Sequence, residues 1–132
     1  MGVIVDNIKT DSYLSKDGTR EYGRCTSWVN FNGTGVPTIR DGLNVASITD
    51  NGIGDFTINL AQNMINTNYV VSGASGANTS NNVSTVSVHA ANTGARVAPT
   101  TSSFRIHVTN LTISAIDAAD ISVVVYGGDA NV

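Results

Sequence analysis

Asp55-Phe56-Thr57-Ile58-Asn59-Leu60 alternates polar and apolar residues without a break, and Phe104 to Thr109 repeats the pattern with its apolar residues at even positions. Successive side chains of a strand point to opposite faces, so each run has one apolar and one polar face. A helix, whose faces recur roughly every 3.6 residues, cannot use that pattern. Val and Ile together number 27, against four Leu, one Glu, one Gln and two Lys. Good helix formers are nearly missing and β-branched residues dominate. The fold class is therefore all-β: an antiparallel β-sandwich, jelly-roll-like, of about eight short strands. A length of 132 residues fits a single domain.

Trp28 to Thr57 reads as a β-meander. Cys25 to Phe31 forms a strand that ends at the Asn32-Gly33-Thr34-Gly35 turn, and Pro37 keeps its neighbourhood from being a central strand. Leu43 to Thr49 pairs with the Asp55 strand across the Thr49-Asp50-Asn51-Gly52-Ile53-Gly54 turn, whose Asn and Gly tolerate positive φ. In that partner strand Val45 and Ser47 face opposite to Ala46 and Ile48. Trp28, beside Val29 and Phe31, reads as a buried packing anchor. Further strands start at Tyr69, span Val83 to Ala90, and close the chain at Ile121 to Tyr126. Two long loops rich in Gly, Ser, Asn and Thr, Gly73 to Asn82 and Ala91 to Ser103, separate them.

Residues 1 to 24 divide into an apolar run, Gly2 to Lys9, and a polar, charged stretch, Thr10 to Arg24. They read as an N-terminal arm or docking segment ahead of a domain at 25 to 132, or as an edge strand and surface loop of that domain. The net charge of -3 gives no electrostatic case for nucleic acid. No apolar run is long enough to cross a bilayer, so no membrane insertion is expected. The single cysteine, Cys25, cannot form an intrachain disulfide and reads as a strand residue.

No catalytic constellation emerges. His89 and His107 fall on the polar faces of their strands as surface or interface residues, because a metal site usually needs three or four ligands at set spacing. A threefold axis could gather three copies of one His. The Asp50 to Asp55 turn is oxygen-rich but offers too few ligands for Ca²⁺. Ser72-Gly73-Ala74-Ser75-Gly76 lacks nucleophile-elbow spacing, and no phosphate-binding loop is present. The sole Glu21 lies in the arm and the Asp residues mostly lie in turns, so no carboxylate pair for glycoside hydrolysis stands out while strand partners are unknown. The chain is expected to be no enzyme and to use no cofactor.

The blocks Trp28-Val29-Asn30-Phe31-Asn32-Gly33-Thr34-Gly35 and Ser47-Ile48-Thr49-Asp50-Asn51-Gly52, continued by Asp55-Phe56-Thr57, carry a resemblance. Over roughly Cys25 to Val71, with an echo in Asp120 to Gly127, the chain resembles a family of small bacteriophage and prophage tail-fibre-like virion structural proteins. The resemblance implies a virion component, assembled in the host bacterial cytoplasm as a β-sandwich homotrimer, with no catalytic residue and no cofactor.

Two functions follow from assembly logic. In one, the chain is a trimeric fibre tip whose loops meet a host surface glycan or protein, with Ser75, Asn78, Asn81, Asn92 and Arg96 as candidate contacts. In the other, it is a capsid decoration or a tail or collar protein, docked on other virion proteins through its arm. Residues 61 to 132 carry only five charges, which suits close subunit contact. Val123 to Tyr126 is apolar on both faces, so Val124 and Tyr126 are the candidate oligomer interface.

Overall fold

The computed structural model describes residues 25–76 and 84–128. Within these the chain is all-β, with eight strands and no helix. They are β1 (Cys25–Asn32), β2 (Thr38–Leu43), β3 (Val45–Gly52), β4 (Asp55–Leu60), β5 (Val70–Ser75), β6 (Ser84–Val88), β7 (Ser103–Asn110) and β8 (Ile121–Tyr126). They form two antiparallel sheets of four, ordered β2-β1-β8-β5 and β3-β4-β7-β6. The expected arm at 1–24 lies outside the described residues, as do Asn78 and Asn81.

The alternating runs fill the space between the sheets. Phe56, Ile58 and Leu60 of β4 and Phe104, Ile106 and Val108 of β7 are buried, facing Val29 and Phe31 of β1 and Ile121, Val123 and Val125 of β8. Phe31 and Phe56 meet edge to face across the core, 5.4 Å between ring centres. Gly73 admits this packing on the β5 side, where a Cβ would come within 2.7 Å of Val86 Cγ1. Gly54, at φ +65°, closes the β3–β4 turn where a Cβ would meet the Val108 carbonyl. Only glycine serves both demands there.

Several expectations change. Thr38–Leu43 is a strand, β2, although its sequence shows no alternation. It is an edge strand, exposed along its whole length, and its register with β1 slips between Asn30 and Phe31. In β3 the expected alternation breaks at a bulge between Val45 and Ser47, so Val45 and Ile48 both pack against the core. An extra residue in one strand shifts the faces of all that follow. The proposed loop from Gly73 starts later, because β5 runs through Ser75. Ser75 is thus a strand residue, bonded to Ser84 Oγ at 2.6 Å between the sheets, and not a loop contact.

Trp28 is the largest correction. It is absent from the core and lies on the outer face of its sheet, partly exposed. Val29 and Phe31 point inward, so the alternation of β1 sends Trp28 and Asn30 outward. The packing anchor of that block is Phe31.

Candidate functional site

Cross-strand register builds the outer face of the β2-β1-β8-β5 sheet. Leu43, Trp28, Val124 and Ser72 stand in one row across the four strands, and Asp41, Asn30, Ser122 and Ala74 stand in the next. Tyr126 and Val70 pair at the far end of the face. An open groove of about 350 Å³ runs along it, lined by Trp28, Asn30, Ser72, Ala74, Ser122 and Val124. Its floor is apolar, and its polar groups are neutral. Asn30 Nδ2 donates to Ser122 Oγ at 2.9 Å. Arg40 closes one side, pairing with Asp120 at 3.2 Å and donating to the Ala119 carbonyl at 2.7 Å. Both candidate interface residues, Val124 and Tyr126, belong to this face, whereas Val123 and Val125 beside them are core.

A second polar cluster sits on the outer face of the other sheet. Asp55 is fully buried there, because a hairpin formed by His89 to Val97 folds back over it. Arg105 Nε and Nη2 donate to the two carboxylate oxygens at 2.6 and 2.7 Å, and the Asn92 amide donates to Oδ2 at 2.9 Å. Burial alone would raise the Asp55 carboxyl. The bonds from Arg105 and Asn92, the Arg105 charge and the Asn51 amide outweigh it and hold the carboxyl below its ordinary value. The same pairing raises Arg105. This is a structural clamp for the hairpin. Its carboxylate oxygens are engaged, so the Asp50 to Asp55 turn is a hairpin and not a cation cradle.

Neither histidine stands freely on the surface: His107 is buried and His89 is half-buried. His107 is buried on the outer face of β7, opposite Asp55. His89 leaves the strand pattern at φ +55°, and its ring packs against Tyr69 and Phe104, 6.4 Å between centres in each case. Its Nδ1 is buried with no hydrogen-bond partner among the described residues. Burial, and after it the Arg96 charge, lower its pKa. Tyr69 in the same cluster donates to the Thr100 carbonyl at 2.8 Å, and burial pushes its phenol up to about 12. Among the described residues no three His, Cys, Asp or Glu gather at metal-binding distance.

The sequence-derived contacts do not converge. Asn92 and Arg96 share the hairpin over the second sheet, while Ser75 lies between the sheets. No local sequence feature announces the Asp55–Arg105 clamp. Alternation places both residues on polar faces, but no sequence signal says that β4 pairs with β7. Comparison with protein-family models, curated proteins and solved structures finds nothing that matches this chain.

Proposed function

We propose that this chain is a virion structural module, a homotrimeric tail-fibre tip that attaches to a host surface, and that its copies pack through the outer face of the β2-β1-β8-β5 sheet. The observation that carries the reading is the apolar band on that face: Leu43, Trp28, Val124, Tyr126 and Val70, beside neutral Asn30, Ser72 and Ser122, with charge at Asp41 and the Arg40–Asp120 pair toward its edge. The solvent face of an antiparallel sheet is ordinarily polar, and a contiguous apolar band marks a contact surface. The core of such a contact is depleted of charge. The hairpin carrying Asn92 and Arg96, clamped by Asp55, is the rigid loop offered to the host. Three linked copies make weak single contacts useful, since avidity multiplies affinity by roughly 10²–10⁴.

Light scattering on the purified full chain tests this. Three times the 13.7 kDa chain mass is expected at micromolar concentration, and Val124→Asp is expected to bring the particle down to one chain without unfolding it. A wild-type mass of one chain overturns the reading. A trimer indifferent to Val124→Asp moves the interface off this face.

A further inference from the structure

Asn-Gly occurs twice in this chain, at Asn32-Gly33 and Asn51-Gly52, each at the end of a strand. The dipeptide carries its own chemistry. With no Cβ on the glycine, its backbone nitrogen can close on the asparagine side-chain carbon, Cγ, and form a five-membered imide. Whether it does so depends on how the fold holds the two residues, and here the two copies are held differently.

At the first copy the backbone is wedged. Gly33 is buried, its N–H donates to the Ala118 carbonyl at 2.9 Å, and a Cβ there would come within 2.7 Å of Ile121 Cδ1 and 2.9 Å of Phe56 Cζ. Asn32 is paired with Thr38 in the β1–β2 ladder, and its Oδ1 accepts from the Thr34 N–H and hydroxyl at 2.9 and 2.7 Å. The Gly33 nitrogen cannot turn toward Cγ without opening the core.

At the second copy the backbone is released. Asp50 pairs with Phe56 and Gly52 pairs with Asp55, so Asn51 is the extra residue of a bulge and has no partner in β4. β3 is an edge strand, and Asn51, Gly52 and Ile53 are exposed. Gly52 stands at φ +129°, and a Cβ there would meet only Asn92 Nδ2, at 3.5 Å. Its N–H donates to Asp50 Oδ1 at 2.9 Å, so the proton that must leave already rests on a carboxylate. The Asn51 amide is held by an exposed bond from Nδ2 to Thr57 Oγ1 at 2.8 Å, with Asp55 Oδ1 beyond it at 3.5 Å.

We infer that Asn51 is a site of spontaneous deamidation in the folded protein and that Asn32 is shielded from it. The Gly52 nitrogen bonds to Asn51 Cγ while its proton passes to Asp50. The Cγ–Nδ2 bond then breaks, and that proton leaves with the nitrogen as ammonia. Water opens the imide at either carbonyl, giving aspartate or isoaspartate at position 51. Water is the sole co-reactant, and no electrons are transferred. The product acts on its neighbour. The Asn51 amide helps hold the Asp55 carboxyl below its ordinary value. Deamidation replaces this donor with a second carboxylate, and the like charge weakens the Asp55 clamp on the hairpin over the second sheet.

Ageing the purified full chain in mildly alkaline buffer and mapping it by mass spectrometry tests this. Cleavage after Arg24, Arg40 and Arg96 puts Asn32 and Asn51 on separate peptides, and fragmentation assigns the residue. In the folded chain Asn51 is expected to show the mass of an amide-to-acid exchange, part of it as isoaspartate, about tenfold faster than Asn32, which must await opening of the core. In denaturant, where both are simply Asn-Gly, the two rates are expected to converge. Asn51→Asp is expected to speed hydrogen exchange at the Asn92 amide, which donates to Asp55 Oδ2, without changing exchange in the β1–β8 ladder. An Asn51 that converts only in denaturant overturns the inference, because the fold then protects it. Asn32 keeping pace with Asn51 in the folded chain overturns it as well. Unchanged exchange at Asn92 overturns the effect on the clamp. None of these outcomes depends on whether copies assemble through Val124, so this inference and the proposed function fail separately.

Discussion

On the outer face of the β3-β4-β7-β6 sheet, most polar side chains satisfy one another, although His107 Nε2 is buried there with no partner among the described residues. Asn59 Nδ2 donates to Thr49 Oγ1 at 2.9 Å and lies 3.1 Å from Ser47 Oγ, Asn51 donates to Thr57 at 2.8 Å, Thr85 and Thr109 share a bond of 3.1 Å, and Arg105 grips Asp55. The face of the β2-β1-β8-β5 sheet carries Leu43, Trp28, Val124, Tyr126 and Val70 in the corresponding outward positions, with Asn30–Ser122 as a bonded polar pair among them. Both faces come from the same alternation rule. They differ in what stands at the outward parity, and that difference assigns them different work. A face of reciprocal polar ladders is complete in water. A face with exposed Leu43, Tyr126 and Val70 beside half-buried Trp28 and Val124 is, in the function proposed above, completed by contact.

The comparison breaks first at Asp55. If the second face is self-sufficient, its stability rests on that clamp. Asp55→Asn is expected to lower unfolding free energy by about 3 kcal/mol, the low end of the range for breaking a buried pair, because Arg105 keeps some solvent access. Chemical denaturation of wild type and variant measures it. The pH dependence has a definite sign. The folded carboxyl lies below its ordinary value of 3.8, so the clamp contributes fully above that pH, and its contribution disappears as pH falls through the folded value. Asp55→Asn is expected to remove that acid-labile component. An equally stable variant would mean that the hairpin is held by other bonds and that the two faces differ less than their chemistry suggests.

Next in size is Trp28. A buried aromatic truncated to Ala typically costs 3–5 kcal/mol, and Phe31→Ala is expected to fall in that range. Trp28→Ala is expected to cost less, about 1–2 kcal/mol in the monomer, because part of its surface already meets solvent. At concentrations where the chain associates it is expected to reduce assembly as well. Urea titrations of both variants, at nanomolar and at micromolar protein, separate the two contributions. A loss for Trp28→Ala as large as that for Phe31→Ala at nanomolar protein would return Trp28 to the core and remove the central member of the apolar band.

These two substitutions mark how far the sequence is legible. Strict alternation in β4 and β7 declares which side chains enter the core, and the structure agrees in both; β8, apolar on both faces at its end, leaves the choice to its neighbours. Alternation fails where the backbone leaves the period. The bulge at Val45–Ser47 reverses the faces of β3, and β2 has no alternation because an exposed edge strand is not asked to present an apolar side. For Trp28 residue type and parity point opposite ways, and parity wins: with Val29 and Phe31 inward, its own position is outward. The Asp55–Arg105 clamp depends on which distant strands become neighbours. That information resides in the register of pairing and not in any local stretch.

The smallest expected effect sharpens the comparison at the edge of the clamped hairpin. His89 begins that hairpin, and its imidazole is buried against Tyr69 and Phe104. Burial first, and the Arg96 charge second, place its folded pKa below the ordinary 6.5. As pH falls, the unfolded chain therefore takes up this proton before the folded one does. Stability is expected to be level above about pH 7, to decline below 6.5, and to level again once the pH passes beneath the folded value. His89→Asn keeps a residue that tolerates the positive φ at this position and removes the titration. Absolute stability drops with the lost ring packing, so the informative quantity is the slope of unfolding free energy between pH 7 and 5. That slope is expected to flatten in His89→Asn. Because Asp55 titrates only in stronger acid, the hairpin then has two separable acid responses, one from His89 below its ordinary 6.5 and one from the clamp below 3.8. If the slope survives in His89→Asn, the proton enters elsewhere, and His89 is an inert member of the aromatic cluster.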